Sequence, residues 1–142
     1  MMDQNIPVED LIQSAMKARE KAYAPYSGFF VGAALLSMDD RIYTGCNIEN
    51  VAYGPSNCAE RTAIFKAVSE GKQKFRAIAI VGGGKGEVSQ YCYPCGVCRQ
   101  VMCEFVNPEQ FRLIIAKNTK DYKIYTLSQL LPEAFTPEHL SL

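Results

Sequence analysis

The sequence predicts an α/β protein, a three-layer α-β-α sandwich with a mixed sheet of about five strands. Two observations lead to this fold class. A hairpin of apolar segments is followed by alternating strands and helices, and this alternation indicates a sheet sandwiched between helices. The strand at 75–81, the helix at 95–105 and the strand at 112–116 should form a right-handed parallel crossover. No repeat or long linker divides the 142 residues, so residues 1–142 are expected to form a single domain.

The first half of the chain predicts a helix and then a hairpin. Apolar residues recur at helical spacing from Val8 onward, and proline suits both boundaries, with Pro7 before the start and Pro25 at the expected end. The next two apolar segments, 31–36 and 41–46, predict the two strands of a β-hairpin. A pair of aspartates between them marks the turn.

The second half predicts further helices and strands in alternation. Alanine, isoleucine and valine residues share one face of a helix at 58–70, and Gly71 suits its C-terminal end. The remaining elements are a strand closed by three glycines, a helix, two strands and a helical turn, at 75–81, 95–105, 112–116, 122–127 and 128–131.

The composition favours a small uncharged substrate over a nucleic acid. Fifteen basic and fifteen acidic residues give a formal net charge of zero, whereas proteins that grip phosphate backbones are usually strongly basic. No segment approaches the ~20 apolar residues of a membrane span, and residues 1–5 have no features of a secretory signal. We therefore expect no membrane partner and a cytoplasmic, reducing compartment, in which the six cysteines are thiols or metal ligands.

Three cysteines and one glutamate carry the chemistry that the sequence predicts. Cys58 lies two residues before Glu60, and Cys95 and Cys98 form a CxxC pair. Three thiolates are one ligand short of a closed tetrahedral zinc site, so the fourth position can hold water. Both motifs lie at predicted helix starts, where unpaired backbone N–H groups favour thiolate over thiol. The pattern predicts a catalytic zinc, with Glu60 close enough to move the protons of that water.

Two other interpretations of these cysteines remain open. A redox dithiol also uses a CxxC pair, although it normally works without a distant third cysteine that precedes an acid. A structural zinc would need a fourth ligand from Cys46, Cys92 or Cys103. On a helix, Cys103 would lie ~7.5 Å along the axis from Cys98, but spacing excludes neither Cys46 nor Cys92.

The acid and the base beside Cys58 also have simpler explanations. An acid such as Glu60 is common in a first helical turn because it complements the helix dipole, but its distance of two residues from a ligand favours catalysis. Three thiolates leave a zinc site with a net negative charge that a cation should offset. Arg61 and Arg99 each directly follow a ligand motif, and we favour Arg61 for the compensating role.

Two further features are expected to be structural. The single histidine, His139, is expected to be solvated, and one histidine excludes any site that needs two. The glycine-rich segment at 82–86 lacks the spacing of a Walker phosphate loop and has no serine or threonine after its lysine. We therefore expect a turn there.

At these residues the chain resembles the cytidine deaminases, specifically the small homotetrameric subclass with three cysteine zinc ligands. The resemblance covers nearly the whole length and runs through five segments: APYSGF at 24–29, VGAA at 31–34, GCNIEN at 45–50, CAERTA at 58–63 and PCGVCRQ at 94–100. The sequence departs from the compact members at 89–93, where the approach to Pro94 is longer, so the rim of the site is expected to differ.

The resemblance implies a reaction and an assembly. One zinc ion per subunit would activate a water that attacks C4 of cytosine, while Glu60 shuttles protons to N3 and to the departing amine. Cytidine and 2′-deoxycytidine would become uridine and 2′-deoxyuridine with release of ammonia, as in pyrimidine salvage. The subunits would form a homotetramer with active sites at subunit interfaces.

The resemblance also implies contacts with the nucleoside. Asn47 and Glu49 would clamp the 3′-hydroxyl of the ribose, while the C=O of Ala59 and the N–H of Cys95 would contact the pyrimidine edge. Three aromatic rings would complete the site: Phe29 packed on the nucleoside, Tyr53 reaching a neighbouring site, and Phe135 stacked on the base across a subunit boundary. Packing of this last ring within its own chain is the alternative.

Two rival functions are distinguished by the same residues. A related aminohydrolase that acts on a nucleoside antibiotic such as blasticidin would share the zinc motifs but not the clamp of Asn47 and Glu49. A zinc-stabilised interaction module would have no use for Glu60. A clamp on the 3′-hydroxyl does not rank cytidine against deoxycytidine.

Overall fold

The computed structural model describes residues 6–140; the expectation about a secretory signal falls on residues 1–5 and lies outside the described residues, as do residues 141–142. No helix in the described part is long and apolar enough to cross a membrane. In chain order the elements are α1 (Val8–Arg19), β1 (Phe30–Ser37), β2 (Ile42–Cys46), α2 (Ala59–Ser69), β3 (Phe75–Gly83), α3 (Gly96–Phe105), β4 (Arg112–Asn118), β5 (Asp121–Thr126), α4 (Leu127–Leu130) and a terminal 3-10 helix (Pro137–Leu140).

The five strands form one mixed sheet in the order β2-β1-β3-β4-β5. β1 pairs antiparallel with β2 and β3, and β5 pairs antiparallel with β4. β3 and β4 run parallel, with Ile78 opposite Leu113, and α3 connects them. The predicted mixed sheet and its parallel crossover are confirmed.

Side chains of the central strands alternate between two apolar layers, as the two-residue period of a strand requires. On one face, Leu35 and Ile80 pack with residues of α2 and α3. On the other face, Leu36 and Ile114 pack beneath Leu11 of α1. The sheet is therefore covered by α1 on one side and by α2 and α3 on the other, which confirms the three-layer sandwich.

Two glycines allow helices to lie unusually close to this sheet. A Cβ at Gly32 would lie 2.0 Å from the carbonyl oxygen of Ala15, and a Cβ at Gly45 would lie 2.5 Å from that of Ala59. Any larger residue at either position would push a helix away. Gly45 thereby lets the first turn of α2, which carries Glu60, approach β2.

The first helix ends earlier than the sequence predicts, at Arg19 instead of near Pro25. Beyond it, the N–H of Tyr23 donates to the carbonyl of Asn47, and the N–H of Glu49 donates to the carbonyl of Tyr23, both at 2.9 Å. These long-range backbone hydrogen bonds draw the chain out of the helix before the proline is reached.

Two later boundaries also differ from the prediction. β3 continues to Gly83 because Gly82 and Gly83 still pair with β1; a Cβ at Gly82 would lie 2.8 Å from the Sγ of Cys92, so glycine leaves the space that this thiol fills. β5 and α4 lie one residue earlier than predicted. The side chain of Thr126 accepts from the N–H of Gln129 in a capping box and so begins α4 at Leu127.

Candidate functional site

Two helix N-termini converge at the cluster of cysteines. Cys58 is the N-cap of α2 and Cys95 is the N-cap of α3, and each has an extended backbone. Cys98 lies in the first turn of α3 and is buried, whereas Cys95 is exposed. Because the first backbone N–H groups of a helix lack intrahelical partners, both thiols lie where negative charge is stabilised.

The three thiols have the spacing of a zinc site. The Sγ of Cys95 lies 3.8 Å from that of Cys58 and 3.5 Å from that of Cys98, and all three sulfurs lie within 4.8 Å of one another. Zn–S bonds of about 2.3 Å at tetrahedral angles place two sulfurs about 3.8 Å apart. The donor set and its geometry therefore fit a zinc ion, with one coordination position left over.

The charges around the cluster favour a thiolate at Cys58. The Cys98 thiol donates to its sulfur, and together with Arg61 and Cys95 it lowers the pKa of Cys58 to about 5 despite partial burial. The same hydrogen bond, together with burial, raises the pKa of Cys98 well above its usual range. Three thiolates together require a cation to offset their charge.

Arg61 supplies positive charge next to this cluster. Its Nη2 donates to the Sγ of Cys58 at 3.2 Å. Burial alone would lower the pKa of Arg61, but hydrogen bonds to Cys58 and Cys98 raise it, so the guanidinium stays charged. Its Nε is buried without a hydrogen-bond partner among the described residues.

Glu60 lies beside the thiols in the first turn of α2 and is 3% exposed. Burial, together with the negative charge of Cys58, raises the pKa of Glu60 to about 7, while the positive charge of Arg61 opposes the rise. A carboxyl group with this pKa can both hold and release a proton near neutral pH. An exposed acid that merely complements a helix dipole would have no such property.

The other three cysteines lie outside the sulfur cluster. Within residues 6–140, the group of side chains able to hold a metal ion contains Cys58, Cys95 and Cys98 and no fourth cysteine. Burial raises the pKa of Cys92 to about 12. Burial also raises the pKa of Cys46 and of Cys103 above the usual value of a thiol. A closed four-cysteine site therefore lacks its fourth ligand in this structure.

Arg99 has different partners from Arg61, although both follow a ligand motif. Its Nε donates to the carbonyl of Pro94 at 2.7 Å and its Nη1 donates to the carbonyl of Leu130 at 2.5 Å. Arg99 thus fixes the backbone that leads into α3 and the end of α4. It makes no hydrogen bond with the thiols in the described part of the chain.

Asn47 and Glu49 face the same side of the segment that follows β2. Asn47 accepts from the N–H of Val31 at 2.9 Å and donates to the carbonyl of Phe29 at 2.8 Å. Glu49 accepts from the N–H groups of residues 26 and 27, at 3.0 and 3.1 Å, and from the hydroxyl of Ser27. Both side chains therefore hold the 26–31 segment, a structural role that the sequence did not indicate.

A short backbone bridge joins this segment to the cysteine cluster. Ile48 and Asn57 exchange hydrogen bonds of 3.0 and 2.9 Å, and Asn57 directly precedes Cys58. The side chain of Asn57 donates to Thr62, whose hydroxyl donates to the carbonyl of Cys58 at 3.0 Å. Sequence reasoning missed these two positioning residues, although a Thr four residues after a helix N-cap is a recognisable signal.

The three predicted contacts Phe29, Tyr53 and Ala59 lie in different surroundings. Phe29 and Tyr53 are 44% and 72% exposed; Tyr53 has a positive φ of 61° and packs edge-on against Tyr26. Ala59 is buried, and its carbonyl oxygen faces Gly45. Contact of any of them with a substrate stays a prediction.

Phe135 is held on α3 by its backbone, while its ring remains available. Its carbonyl accepts from Nε2 of Gln100 at 2.8 Å. The ring stacks on His139 with centroids 5.5 Å apart and is 59% exposed, so it is not part of the core of its own chain. His139 is exposed, as expected, and also accepts from the N–H of Thr136.

The long segment before Pro94 is tied to β5. The hydroxyl of Tyr91 donates to Asp121, and the hydroxyls of Tyr93 and Tyr125 lie 3.0 Å apart. In the glycine-rich segment, the carbonyls of residues 83, 84 and 86 accept from Arg19. These carbonyls accept hydrogen bonds, whereas a phosphate loop presents N–H donors. The prediction of a turn over 82–86 is wrong for Gly82 and Gly83, which belong to β3, and holds only for the bend that follows them.

The comparisons with known proteins all indicate the same family. Residues 6–113 match the model of the "cytidine and deoxycytidylate deaminase zinc-binding region". A curated cytidine deaminase of Sporosarcina psychrophila is 54% identical over 135 residues, which cover 94% of this chain and 95% of that protein. A cytidine deaminase of Halalkalibacterium halodurans is 50% identical over 131 residues, covering 92% and 96% of the two chains.

Solved structures of cytidine deaminases have the same fold. The enzyme from Burkholderia pseudomallei is 47% identical with a TM-score of 0.77, covering 89% of this chain and 97% of that one. The enzyme from Mycobacterium tuberculosis is 39% identical with a TM-score of 0.78, covering 92% and 98%.

Proposed function

The chain belongs to the family of zinc-dependent cytidine deaminases, and on that premise we propose that it hydrolyses cytidine and 2′-deoxycytidine to uridine and 2′-deoxyuridine, with release of ammonia, in pyrimidine salvage. The observation that carries the proposal is the position of Glu60, a buried carboxyl group with a pKa raised to about 7 beside three sulfurs spaced for zinc. This arrangement combines a metal position with a proton carrier.

We assign Cys58, Cys95 and Cys98 as the ligands of one zinc ion per chain. When bound, zinc supplies a Lewis acid that makes water a better nucleophile at neutral pH. Arg61 offsets the negative charge of the three thiolates through its contact with Cys58. The N-cap positions of two ligands add the dipoles of α2 and α3 to the same effect.

Glu60 moves the protons of the reaction. Its carboxylate takes a proton from the attacking water and gives it to N3 of the cytosine ring. It then takes the second proton of that water and gives it to the amine nitrogen. The C4–N bond breaks and ammonia leaves, so that one water is consumed and the ring gains a C4 carbonyl. A pKa near neutrality suits a group that must accept and donate in turn.

Asn47 and Glu49 bind the 3′-hydroxyl of the ribose with the hydrogen-bonding capacity that the 26–31 segment leaves. The amide of Asn47 uses one of its two N–H groups in the chain. One oxygen of Glu49 accepts a single hydrogen bond, from Ser27. A hydroxyl can therefore accept from Asn47 and donate to Glu49 at the same time.

The base and sugar are enclosed by aromatic residues, some from a second chain. Phe29 packs on the nucleoside of its own chain, and the exposure of Tyr53 and Phe135 suits contacts with neighbouring sites. We propose a homotetramer with active sites at subunit interfaces. The N–H of Cys95 contacts the pyrimidine edge; the expected contact of the Ala59 carbonyl is left out of the proposal, because that oxygen faces Gly45 of β2.

The rest of the chain suits a small substrate in a reducing compartment. Zero formal charge provides no general attraction for nucleic acid. Three free thiols must stay reduced to bind zinc, which supports a cytoplasmic location. We propose that residues 1–142 form one domain.

A substrate series tests the proposal. Zinc-loaded protein is incubated with cytidine, 2′-deoxycytidine, cytosine and a cytosine-bearing nucleoside antibiotic, and both the loss of ultraviolet absorbance and the ammonia released are measured. We expect turnover of both nucleosides and far slower turnover of cytosine. Ammonia from the antibiotic but not from cytidine would show a different aminohydrolase, and no ammonia from any of them would contradict an enzymatic role.

A further inference from the structure

A cavity of about 360 Å³ lies between α1, β2 and α2, apart from the thiolate cluster. Its volume lies at the lower end of the ~300–1,000 Å³ typical of small-molecule sites. The nine residues that line it are Ser14, Lys17, Ala18, Lys21, Thr44, Gly45, Cys46, Thr62 and Lys66. None of the roles proposed above for catalysis or nucleoside binding uses this cavity.

The charge of the cavity is unusual for this chain. Three of the lining residues are lysines and none is an acid, although the whole chain has equal numbers of basic and acidic residues. None of the three lysines forms an ion pair within residues 6–140. The cavity therefore concentrates three positive charges that the protein itself does not neutralise.

The fold brings these lysines together from two helices. Lys17 and Lys21 are four residues apart, at the last turn of α1 and just beyond it, so they lie on the same side. Lys66 comes from the last turn of α2, and its Nζ donates to the carbonyl of Thr44. Burial raises the pKa of Cys46, but the positive charges of Lys66 and Lys21 oppose that rise, so both lysines act on the same part of the cavity.

Hydroxyl groups complete the wall between the lysines. Ser14 and Thr44 line the cavity and make no side-chain hydrogen bond in the described part of the chain. Lysine ammonium groups bind phosphate as point charges, and hydroxyls can donate to phosphate oxygens. The lining thus offers donors and positive charge, without a carboxylate that would repel an anion.

We propose that this cavity binds an oligophosphate group, either as inorganic triphosphate or as the triphosphate of a nucleotide. Three positive charges match an anion with several negative charges better than they match a single carboxylate. The base and sugar of a nucleotide would extend beyond the cavity into solvent.

One residue that lines the cavity, Thr62, belongs to the first turn of α2. Its hydroxyl also donates to the carbonyl of Cys58. A bound oligophosphate would therefore lie against the first turn of α2, next to Thr62.

Calorimetric titration of the zinc-loaded protein tests this inference. The probes are inorganic triphosphate, cytidine triphosphate, and uridine as an uncharged control. We expect saturable binding of both triphosphates at one per chain, weakened by added salt because exposed charges are screened. Equal affinities would locate recognition in the phosphates, and tighter binding of the nucleotide would add a contact with its base or sugar. Zinc content measured after the titration excludes removal of the metal by the probe.

Matched variants locate the binding. The double variant Lys17→Gln and Lys21→Gln should raise the dissociation constant at least about tenfold, and Ser14→Asp should do so independently. The double variant Lys85→Gln and Lys120→Gln removes the same charge from exposed positions outside the cavity and should leave binding within about twofold. No saturable binding to the wild type, or equal losses in the two double variants, would overturn the proposal.

Discussion

The candidate site has two ends, a metal end and a nucleoside end. They differ in how completely a single chain forms them. The metal end consists of Cys58, Glu60, Arg61, Cys95 and Cys98. Two helix N-termini place its sulfurs within 4.8 Å of one another, and its carboxyl group is buried. The three sulfurs and Arg61 are already in contact with one another in one chain, and the Glu60 carboxyl group is buried beside them.

The nucleoside end consists of Phe29, Asn47, Glu49, Tyr53 and Phe135. It is formed by loops, and its three rings are largely exposed. Its two polar side chains are already hydrogen-bonded to the 26–31 segment. The comparison teaches that one chain by itself assembles the groups proposed for the chemistry, whereas the proposed substrate contacts come from loops and from neighbouring chains.

The largest effect is expected at the metal end, from Glu60→Gln. The ligands remain while the proton carrier is lost, so zinc should be retained while kcat falls by at least about 10²–10⁴-fold. Metal analysis and the cytidine assay are run on the same sample. Glu104→Gln, an exposed acid on α3, is the control and should keep full activity. Near-normal turnover by a zinc-loaded Glu60→Gln protein would remove Glu60 from the mechanism.

At the nucleoside end, Asn47→Ala should lower kcat/KM for cytidine by about ten- to a hundredfold and leave the slow turnover of cytosine almost unchanged. The reason is that binding energy from the ribose, remote from the reacting carbon, contributes to kcat as well as KM. Removing its bonds to Val31 and Phe29 should also cost about 1–3 kcal/mol of stability.

Asn118→Ala is the matched control for Asn47→Ala. It removes hydrogen bonds to the backbone N–H groups of Lys120 and Asp121, so it should reduce stability without changing the ratio of the two substrates. Equal losses of Asn47→Ala on cytidine and on cytosine would show that Asn47 holds the loop and does not bind the ribose.

Phe135 should be supplied by one chain to the site of another, so Phe135→Ala should lower activity about tenfold or more, as expected for loss of one base-stacking ring. Co-expression of Glu60→Gln and Phe135→Ala chains should then give more activity than the two parents together, because some hybrid sites are wholly wild type. Glu60→Gln co-expressed with Glu60→Ala should give no such gain. Additive activity in hybrids shown to be mixed would mean that Phe135 serves its own chain.

The smallest effect is expected away from both ends, at Asp39. A hydrogen bond from Lys72, with another from Ser37, lowers the pKa of Asp39 below its usual value, and the Lys72 Nζ lies 2.7 Å from the carboxylate. A lowered pKa stabilises the fold above the unfolded value of about 4, and this stability is lost as the pH falls through the folded pKa. Asp39→Asn should lower the melting temperature slightly at pH 7, and the difference from wild type should shrink below about pH 4.

Lys72→Gln provides the reciprocal test of that small effect. It removes the principal partner of Asp39, so it should produce the same pH-dependent difference from wild type. A difference that persists unchanged at low pH in both variants would show that packing, not the charge on Asp39, is responsible.

Local patterns in the sequence were sufficient to predict the hairpin of β1 and β2 and the parallel pairing of β3 with β4, but not the antiparallel pairing of β1 with β3. β1, β3 and β4 are nearly continuous apolar runs, as expected of strands that are buried on both faces, and glycines and prolines mark most turns. The end of α1 could not be predicted in this way, because it depends on backbone hydrogen bonds from Tyr23 to residues 47 and 49. The end of β3 depends on the pairing of Gly82 and Gly83 with the start of β1, which is also remote in sequence.

The positions of the cysteines in the sequence were sufficient to predict that they form a cluster. They could not predict that Arg61 and Arg99 have different surroundings. Arg61 lies three residues after Cys58, so one helical turn returns its side chain to that sulfur. Arg99 directly follows Cys98 and projects from another side of α3, toward the carbonyls of Pro94 and Leu130. The compensating role of Arg61 stays a prediction, now with a contact to support it.

Zinc analysis of six single cysteine variants tests the three-thiolate site most directly. Each of Cys58→Ala, Cys95→Ala and Cys98→Ala should lose the metal, whereas Cys46→Ala, Cys92→Ala and Cys103→Ala should keep one zinc per chain. The raised pKa of the last three thiols and their positions outside the cluster explain the expected difference. Loss of zinc on removing Cys46 or Cys92, or zinc retained without Cys58, would contradict an open site held by three thiolates.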